Sequence, residues 1–206
     1  EVKIGTAVPS SEELAAAKHH FIQNRSIFEE YSVGDFEREA LLKLEQLFQT
    51  HGIVVMVGGS GLYVDAVVKG LDNFPKIPSE VRKNLNKEIE LEGIESLQKE
   101  LEAVDPKYFQ KVDIDNPHRI IRALEVFRST GKPYSSFLKK HDTTRNFDTV
   151  YIALTAERAT IYDRINKRVD IMLEEGLLDE AKKLYPNKDL NALQTVGYRE
   201  LFQYLE

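Results

Sequence analysis

Cysteine is absent from the sequence, which excludes disulfide staples and thiolate metal sites and fits a reducing compartment. No apolar run is long enough to cross a bilayer, and no cleavable apolar leader opens the chain. A soluble protein of the cytoplasm is therefore expected. An excess of positive charge is missing as well: the formal net charge is -6, so a nucleic-acid partner would have to be held by local clusters of Lys and Arg. Internal repeats and low-complexity tracts do not occur. What remains is 206 residues of ordinary globular composition, enough for one domain, or one domain with a sizeable insert, around a real core.

The stretch that organises this chain is Ile53-Val54-Val55-Met56-Val57-Gly58-Gly59-Ser60-Gly61-Leu62-Tyr63. Its apolar run reads as a strand covered on both faces, as in a parallel sheet between helices. Gly58, Gly59 and Gly61 let the backbone turn and come close to a ligand. Ser60 can cap the following helix, whose free N–H groups suit a phosphate or pyrophosphate; a plain strand-to-helix turn is the competing reading. Upstream, Ser10-Ser11-Glu12-Glu13 has the pattern of a capping box before Leu14-Ala15-Ala16-Ala17, and Ala40, Leu41, Leu44, Leu47 and Phe48 recur at helical spacing. His19-His20 lies between; neighbours in sequence do not face one another on a helix, so a packed or solvated pair is favoured over a metal site.

From Ile77 to Pro133 no strand pattern interrupts a series of amphipathic helices. They carry Val81, Leu85 and Ile89, then Ile94, Leu97 and Leu101, with helix starts at Asp105-Pro106 and Asp115-Asn116-Pro117. In the helix from Pro117 to Thr130, Arg119 and Arg122 are three apart on one ridge. Such a pair suits a phosphate, or else a solvated face with Glu125 as partner. Lys139-Lys140-His141 with Arg145 makes a small basic patch. Thr149-Val150-Tyr151-Ile152-Ala153-Leu154 reads as a second buried strand, followed by a long helix over 156–175 in which Arg164 and Arg168 stand one turn apart, with Asp163 and Glu157 as candidate ion-pair partners.

Together these segments resemble the tRNA dimethylallyltransferase (IPP transferase) family. The resemblance rests on Ile4-Gly5-Thr6-Ala7 with Pro9, His19-His20, Tyr31-Ser32-Val33 with Asp35-Phe36, and Val57-Gly58-Gly59-Ser60-Gly61-Leu62-Tyr63. It continues through Asp105-Pro106, Arg119-Ile120-Ile121-Arg122-Ala123-Leu124-Glu125-Val126, Thr130-Gly131-Lys132-Pro133, Arg164-Ile165 with Arg168-Val169, Gly176-Leu177 and Val196-Gly197-Tyr198-Arg199.

The resemblance implies a P-loop NTPase-like α/β core: a parallel sheet flanked by helices over 1–76 and 148–206, with a helical tRNA-binding insertion at 77–147. It implies transfer of a dimethylallyl group from its diphosphate, accompanied by Mg2+, to the exocyclic amine of the adenosine beside the anticodon. Partners would be the anticodon stem-loop and dimethylallyl diphosphate, with the enzyme a monomer. By position, Gly58, Gly59, Ser60 (where the family usually has Thr), Arg82, Arg119, Arg122 and the turn Gln194, Thr195, Val196, Gly197, Tyr198, Arg199 would meet substrate. Arg168, and less strongly Arg164, would meet the diphosphate, and Lys132 falls in a Gly-Lys motif placed near the active site.

The family's Gly-x-x-x-x-Gly-Lys-Ser/Thr loop has no counterpart here, so the chain is expected to be an internal segment that does not catalyse transfer unaided. An adenylate isopentenyltransferase acting on free nucleotide, a small-molecule kinase, and a catalytically inactive RNA-binding module are the alternatives.

Overall fold

A computed structural model describes residues 1–72, 74–138 and 144–206. Lys139, Lys140 and His141 of the basic patch lie outside the described residues. Among the described residues ten α-helices form, in chain order: α1 (Ser11–Ala16), α2 (Val33–Phe48), α3 (Gly61–Lys69), α4 (Ser79–Glu92), α5 (Glu95–Val104), α6 (Pro106–Phe109), α7 (Pro117–Thr130), α8 (Arg158–Glu174), α9 (Leu177–Leu184) and α10 (Tyr198–Leu205). They divide between two compact units, Glu1–Ser32 with Val150–Glu206, and Val33–Thr149.

The expected α/β core is corrected by this structure: the described residues contain no β-strand, and so no parallel sheet. The two apolar runs read as buried strands are irregular and open to solvent, with Val57 at 89% and Leu154 at 96% exposure. A strand exists only where its N–H and C=O groups meet a ladder partner, and parallel pairing is non-local. Hydrophobicity marked these segments but could not supply the partner.

Helix ends follow the local signals more closely. The Ser10 hydroxyl accepts from the Glu13 amide at 3.2 Å while the Glu13 carboxylate accepts from the Ser10 amide at 2.8 Å, closing the capping box of α1. Asn116 caps α7 through His118 N–H at 3.1 Å, with Pro117 in the first turn. Gly131 ends that helix at φ +68°, a left-handed conformation that costs glycine little. Ser60 precedes α3 without a side-chain cap bond, so the expected cap is made by its backbone alone, whose carbonyl accepts from Tyr63 and Val64.

In the unit Val33–Thr149, α4, α5 and α7 bury Leu85, Leu97, Leu101, Ile120, Ile121, Ala123 and Leu124. Burying each large side chain contributes about 1.5–3 kcal/mol. Buried Asp105 explains its motif structurally: one carboxylate oxygen caps α6 through Tyr108 N–H at 3.1 Å, and the other takes Ser135 N–H at 2.7 Å. Helices α2 and α3 pack together over Ala40, Ala66 and Val67, with Phe36 edge-on to Tyr63. Arg145 is fixed here, bonding Glu37 at 2.6 Å and the Ala66 carbonyl at 2.9 Å. It is therefore a structural tie rather than part of an open basic patch.

In the other unit, α9 and α10 bury Leu177, Ala181, Leu184, Leu193, Tyr198 and Phe202 around Ile27. Helix α8 meets this core through Met172 and is otherwise half-exposed. Its apolar side chains are correspondingly open, with Ile165 and Val169 about half exposed.

Candidate functional site

An open groove of about 1240 Å³ lies within the unit that holds both chain ends. One wall is the loop Lys3–Pro9 and the start of α1; the other is the α8 face bearing Arg164, Lys167, Arg168 and Met172. His19 and Gln23 line it as well. Five basic side chains, Lys3, His19, Arg164, Lys167 and Arg168, thus face one concavity against two carboxylates, Glu13 and Glu175. With Glu13 and Glu175 both ionised, the four Lys and Arg side chains still leave the groove lining with a positive balance.

The one-turn spacing of Arg164 and Arg168 does bring both guanidiniums to the same cavity. The competing reading, an ion-pair lattice with Asp163 and Glu157, does not form around them. Asp163 instead pairs with Lys167 at 2.8 Å, and Arg158 stands 5.8 Å over the Tyr162 ring. Among the described residues neither Arg164 nor Arg168 has an ion-pair partner. Two fork-shaped donors with a lysine and a histidine nearby can bind a polyanion such as a diphosphate bidentately.

The loop wall is held by a carboxylate. Glu180, on α9, accepts the backbone N–H of Lys3 at 3.0 Å, Ile4 at 3.1 Å and Gly5 at 3.0 Å, and the Tyr198 hydroxyl at 2.5 Å. Burial pushes the Glu180 carboxyl upward, but the Gly5, Ile4 and Lys3 donors and the Tyr198 hydroxyl outweigh it and hold the group below the usual carboxylate range. Tyr198 shifts the other way, raised first by burial and then by the carboxylate it bonds.

A carboxyl depressed in the folded state contributes stability above its unfolded pKa, and that contribution is lost as pH falls through the folded value. The stability gap between wild type and Glu180→Gln is therefore expected to be constant near neutrality and to narrow in acid below about pH 4.5. Thermal melts between pH 3 and 7 check this; a gap that widens in acid would contradict it.

A second constellation lies on α7 in the unit Val33–Thr149. Glu125, 3% exposed, accepts Arg82 Nε at 2.7 Å and Nη2 at 3.0 Å, and Arg122 Nη1 at 2.5 Å. Arg122 also lies 5.0 Å over the Phe74 ring. Glu125 is thus the partner of Arg122, as the competing sequence reading had it, yet both arginines keep exposed edges. Arg119 is exposed on the same helix.

The remaining predicted residues are dispersed. Lys132 is exposed, its backbone N–H on the Thr130 hydroxyl at 3.1 Å. Gly58, Gly59 and Ser60 are exposed, and a Cβ at either glycine would meet no atom within 4 Å. Gln194, Thr195, Val196 and Arg199 are exposed; Gly197 takes φ +97°, and Tyr198 is buried at 1% exposure. Sequence reasoning missed Lys3, Lys167 and Glu180 altogether. Only the tyrosine of the Val196-Gly197-Tyr198-Arg199 motif pointed toward the last of them.

A sequence model of the IPP transferase family matches residues 1–206. The chain is 58% identical over 206 residues to the tRNA dimethylallyltransferase of Christiangramia forsetii, covering 100% of the chain and 68% of that protein. It is 58% identical over 212 residues to that of Flavobacterium psychrophilum, covering 100% of the chain and 69% of that protein. Among solved structures, it resembles the tRNA isopentenylpyrophosphate transferase of Bacillus halodurans at 37% identity and a TM-score of 0.60, over 98% of the chain and 63% of that protein. A eukaryotic dimethylallyltransferase acting on tRNA matches at 25% identity and a TM-score of 0.74, over 98% of the chain and 53% of that protein. With the family matched from the first residue to the last, and relatives at this identity across the whole chain, the chain belongs to the IPP transferase family.

Proposed function

We propose that this chain serves a tRNA dimethylallyltransferase, with the α8 groove receiving the diphosphate of dimethylallyl diphosphate. The observation that carries this reading is the convergence of Arg164, Arg168 and Lys3 on one open concavity. As the allylic carbon–oxygen bond breaks, the carbon becomes cation-like and charge accumulates on the departing diphosphate oxygens. Arginine forks already aimed there favour that charge more in the transition state than in the bound substrate. The acceptor is the exocyclic amine of the adenosine beside the anticodon, in a loop whose bases can be splayed out of their stack. A cytoplasmic location and action as a monomer go with this reading.

The groove offers cations and only two carboxylates, one of them capping a helix. That set fits an Mg2+ ion carried by the diphosphate oxygens and water rather than caged by the protein, with Glu175 as the available side-chain ligand. Bound there, the ion would neutralise part of the leaving-group charge.

Arg82, Arg119 and Arg122 are proposed to grip the anticodon stem-loop phosphates, supported by the exposed edges that the Glu125 pairing leaves. Gly58 and Gly59 support a backbone approach to tRNA: neither has a positive φ or a crowding neighbour that would itself require glycine. Arg119→Ala is expected to weaken tRNA binding without changing its sequence preference and to reduce the slope of log K against log salt by about 0.7–0.9, the share of one phosphate contact. Filter binding across a salt series measures this, and an unchanged slope would remove Arg119 from the interface.

The function is tested by exchanging these 206 residues for their matched counterpart in the C. forsetii protein and following single-turnover transfer of labelled dimethylallyl diphosphate to unmodified tRNA. Product is the expected result. A chimera that folds and binds tRNA but forms none would favour an RNA-binding role for this chain.

A further inference from the structure

The structure assigns to Glu180 a role in positioning: together with Tyr198, it sets the shape of the anion groove by fixing the Lys3–Val8 loop against α8. The inference rests on the reading of the groove as a diphosphate site and goes beyond it, because Glu180 is absent from the groove lining. It acts through the backbone of residues that are present.

Three consecutive amides, those of Lys3, Ile4 and Gly5, converge on this single carboxylate, and a buried tyrosine hydroxyl completes its shell. The loop then closes on itself, Ala7 N–H donating to the Ile4 carbonyl at 3.0 Å and Val8 N–H to the Lys3 carbonyl at 3.1 Å. Ala7 sits at φ +49°, a conformation an alanine adopts only when its surroundings hold it there. Lys3, Ile4, Ala7 and Val8 of this loop line the same groove as Arg164 and Arg168.

The other end of the device is equally fixed. Glu180 lies on α9, which leaves α8 at Gly176 with φ +100° and shares a core with Met172 of α8. The carboxylate therefore ties the loop wall to the helix wall. Gly5 shows how close the fit is: a Cβ there would overlap the Tyr198 ring. A solvated surface glutamate would have no reason to collect three backbone donors from residues more than 170 positions away.

The test titrates inorganic pyrophosphate into the wild-type chain, Glu180→Gln, Tyr198→Phe and Leu184→Ala, well below each Tm, with amide exchange read at residues 3–5. Glutamine presents N–H groups to amides that need acceptors, so Glu180→Gln is expected to speed exchange at residues 3–5 and weaken pyrophosphate binding by about 10–100-fold. Tyr198→Phe keeps the carboxylate and its amide bonds and is expected to lose only about threefold. Leu184→Ala loosens the same core while leaving the Glu180 carboxylate and its three amide bonds in place, and is expected to bind as wild type does.

Faster exchange in Glu180→Gln with unchanged affinity would overturn the positioning role. So would an equal loss of affinity in Leu184→Ala, because the effect would then be one of general stability. Should Glu180→Gln fail to fold, Glu180→Asp, which keeps the charge but shortens its reach to the three amides, is read by the same comparison. A folded wild type that binds no pyrophosphate would overturn the diphosphate reading itself, an outcome distinct from a loss confined to the variants.

Discussion

Replacing Arg168 by alanine in the C. forsetii chimera is expected to lower single-turnover transfer by about 10²–10³-fold, the scale on which a single preorganised donor to a developing negative charge acts. The fall should be in the chemical step more than in substrate binding, because leaving-group charge is largest in the transition state. Arg168→Lys retains the charge but not the planar fork and should recover part of the loss. Arg164→Ala, one turn away in the same groove, should cost less. Rapid-quench measurement of labelled product separates binding from chemistry. If Arg168→Ala transfers at the wild-type rate, the leaving group does not lie against α8.

The second large effect concerns the carboxylate at the centre of α7. Removing both arginines, Arg82→Ala with Arg122→Ala, leaves Glu125 buried without either of its ion-pair partners, and is expected to destabilise the protein by about 3–5 kcal/mol. Glu125→Ala alone should cost much less, about 1–2 kcal/mol. The two arginine side chains are 54% and 37% exposed, so water replaces the lost carboxylate. Adding Glu125→Ala to the double variant should therefore restore stability. Urea unfolding of the three variants beside wild type provides the comparison, and a triple variant no more stable than the double would show that Glu125 is not the group left stranded.

The sequence made visible whatever a few neighbouring residues decide. Ser10 with Glu13 closes a capping box, Asn116-Pro117 starts a helix and Gly131 ends one, because each needs only the adjacent turn. The spacing of Arg164 and Arg168 likewise carried over directly, since a helix turns one such pair to a common side. Non-local features stayed hidden. Nothing in Lys3 announced that it would line one groove with Arg168. Glu180 sits in the first turn of an amphipathic helix, where an acidic residue is ordinary, and its purpose appears only when the amides of residues 3–5 arrive from the far end of the chain.

The sheet was inferred from Ile53–Val57 and Val150–Leu154, whose apolar character is genuine but whose partnerless backbones form no ladder. Composition told which segments avoid water in principle, and pairing told which become strands. Tyr198 was expected to meet substrate, whereas its side chain is buried with its hydroxyl donated to Glu180.

The measurement that bears most directly on the anion groove is calorimetric titration of dimethylallyl diphosphate into the chain, beside the Arg164→Ala and Arg168→Ala double variant at matched ionic strength. The expected result is saturable binding by the wild type that weakens as salt rises and falls by at least about a hundredfold in the double variant, the combined scale of two charge-assisted contacts. Equal binding by both proteins, or none by a folded wild type, would contradict the assignment of the α8 groove to the diphosphate.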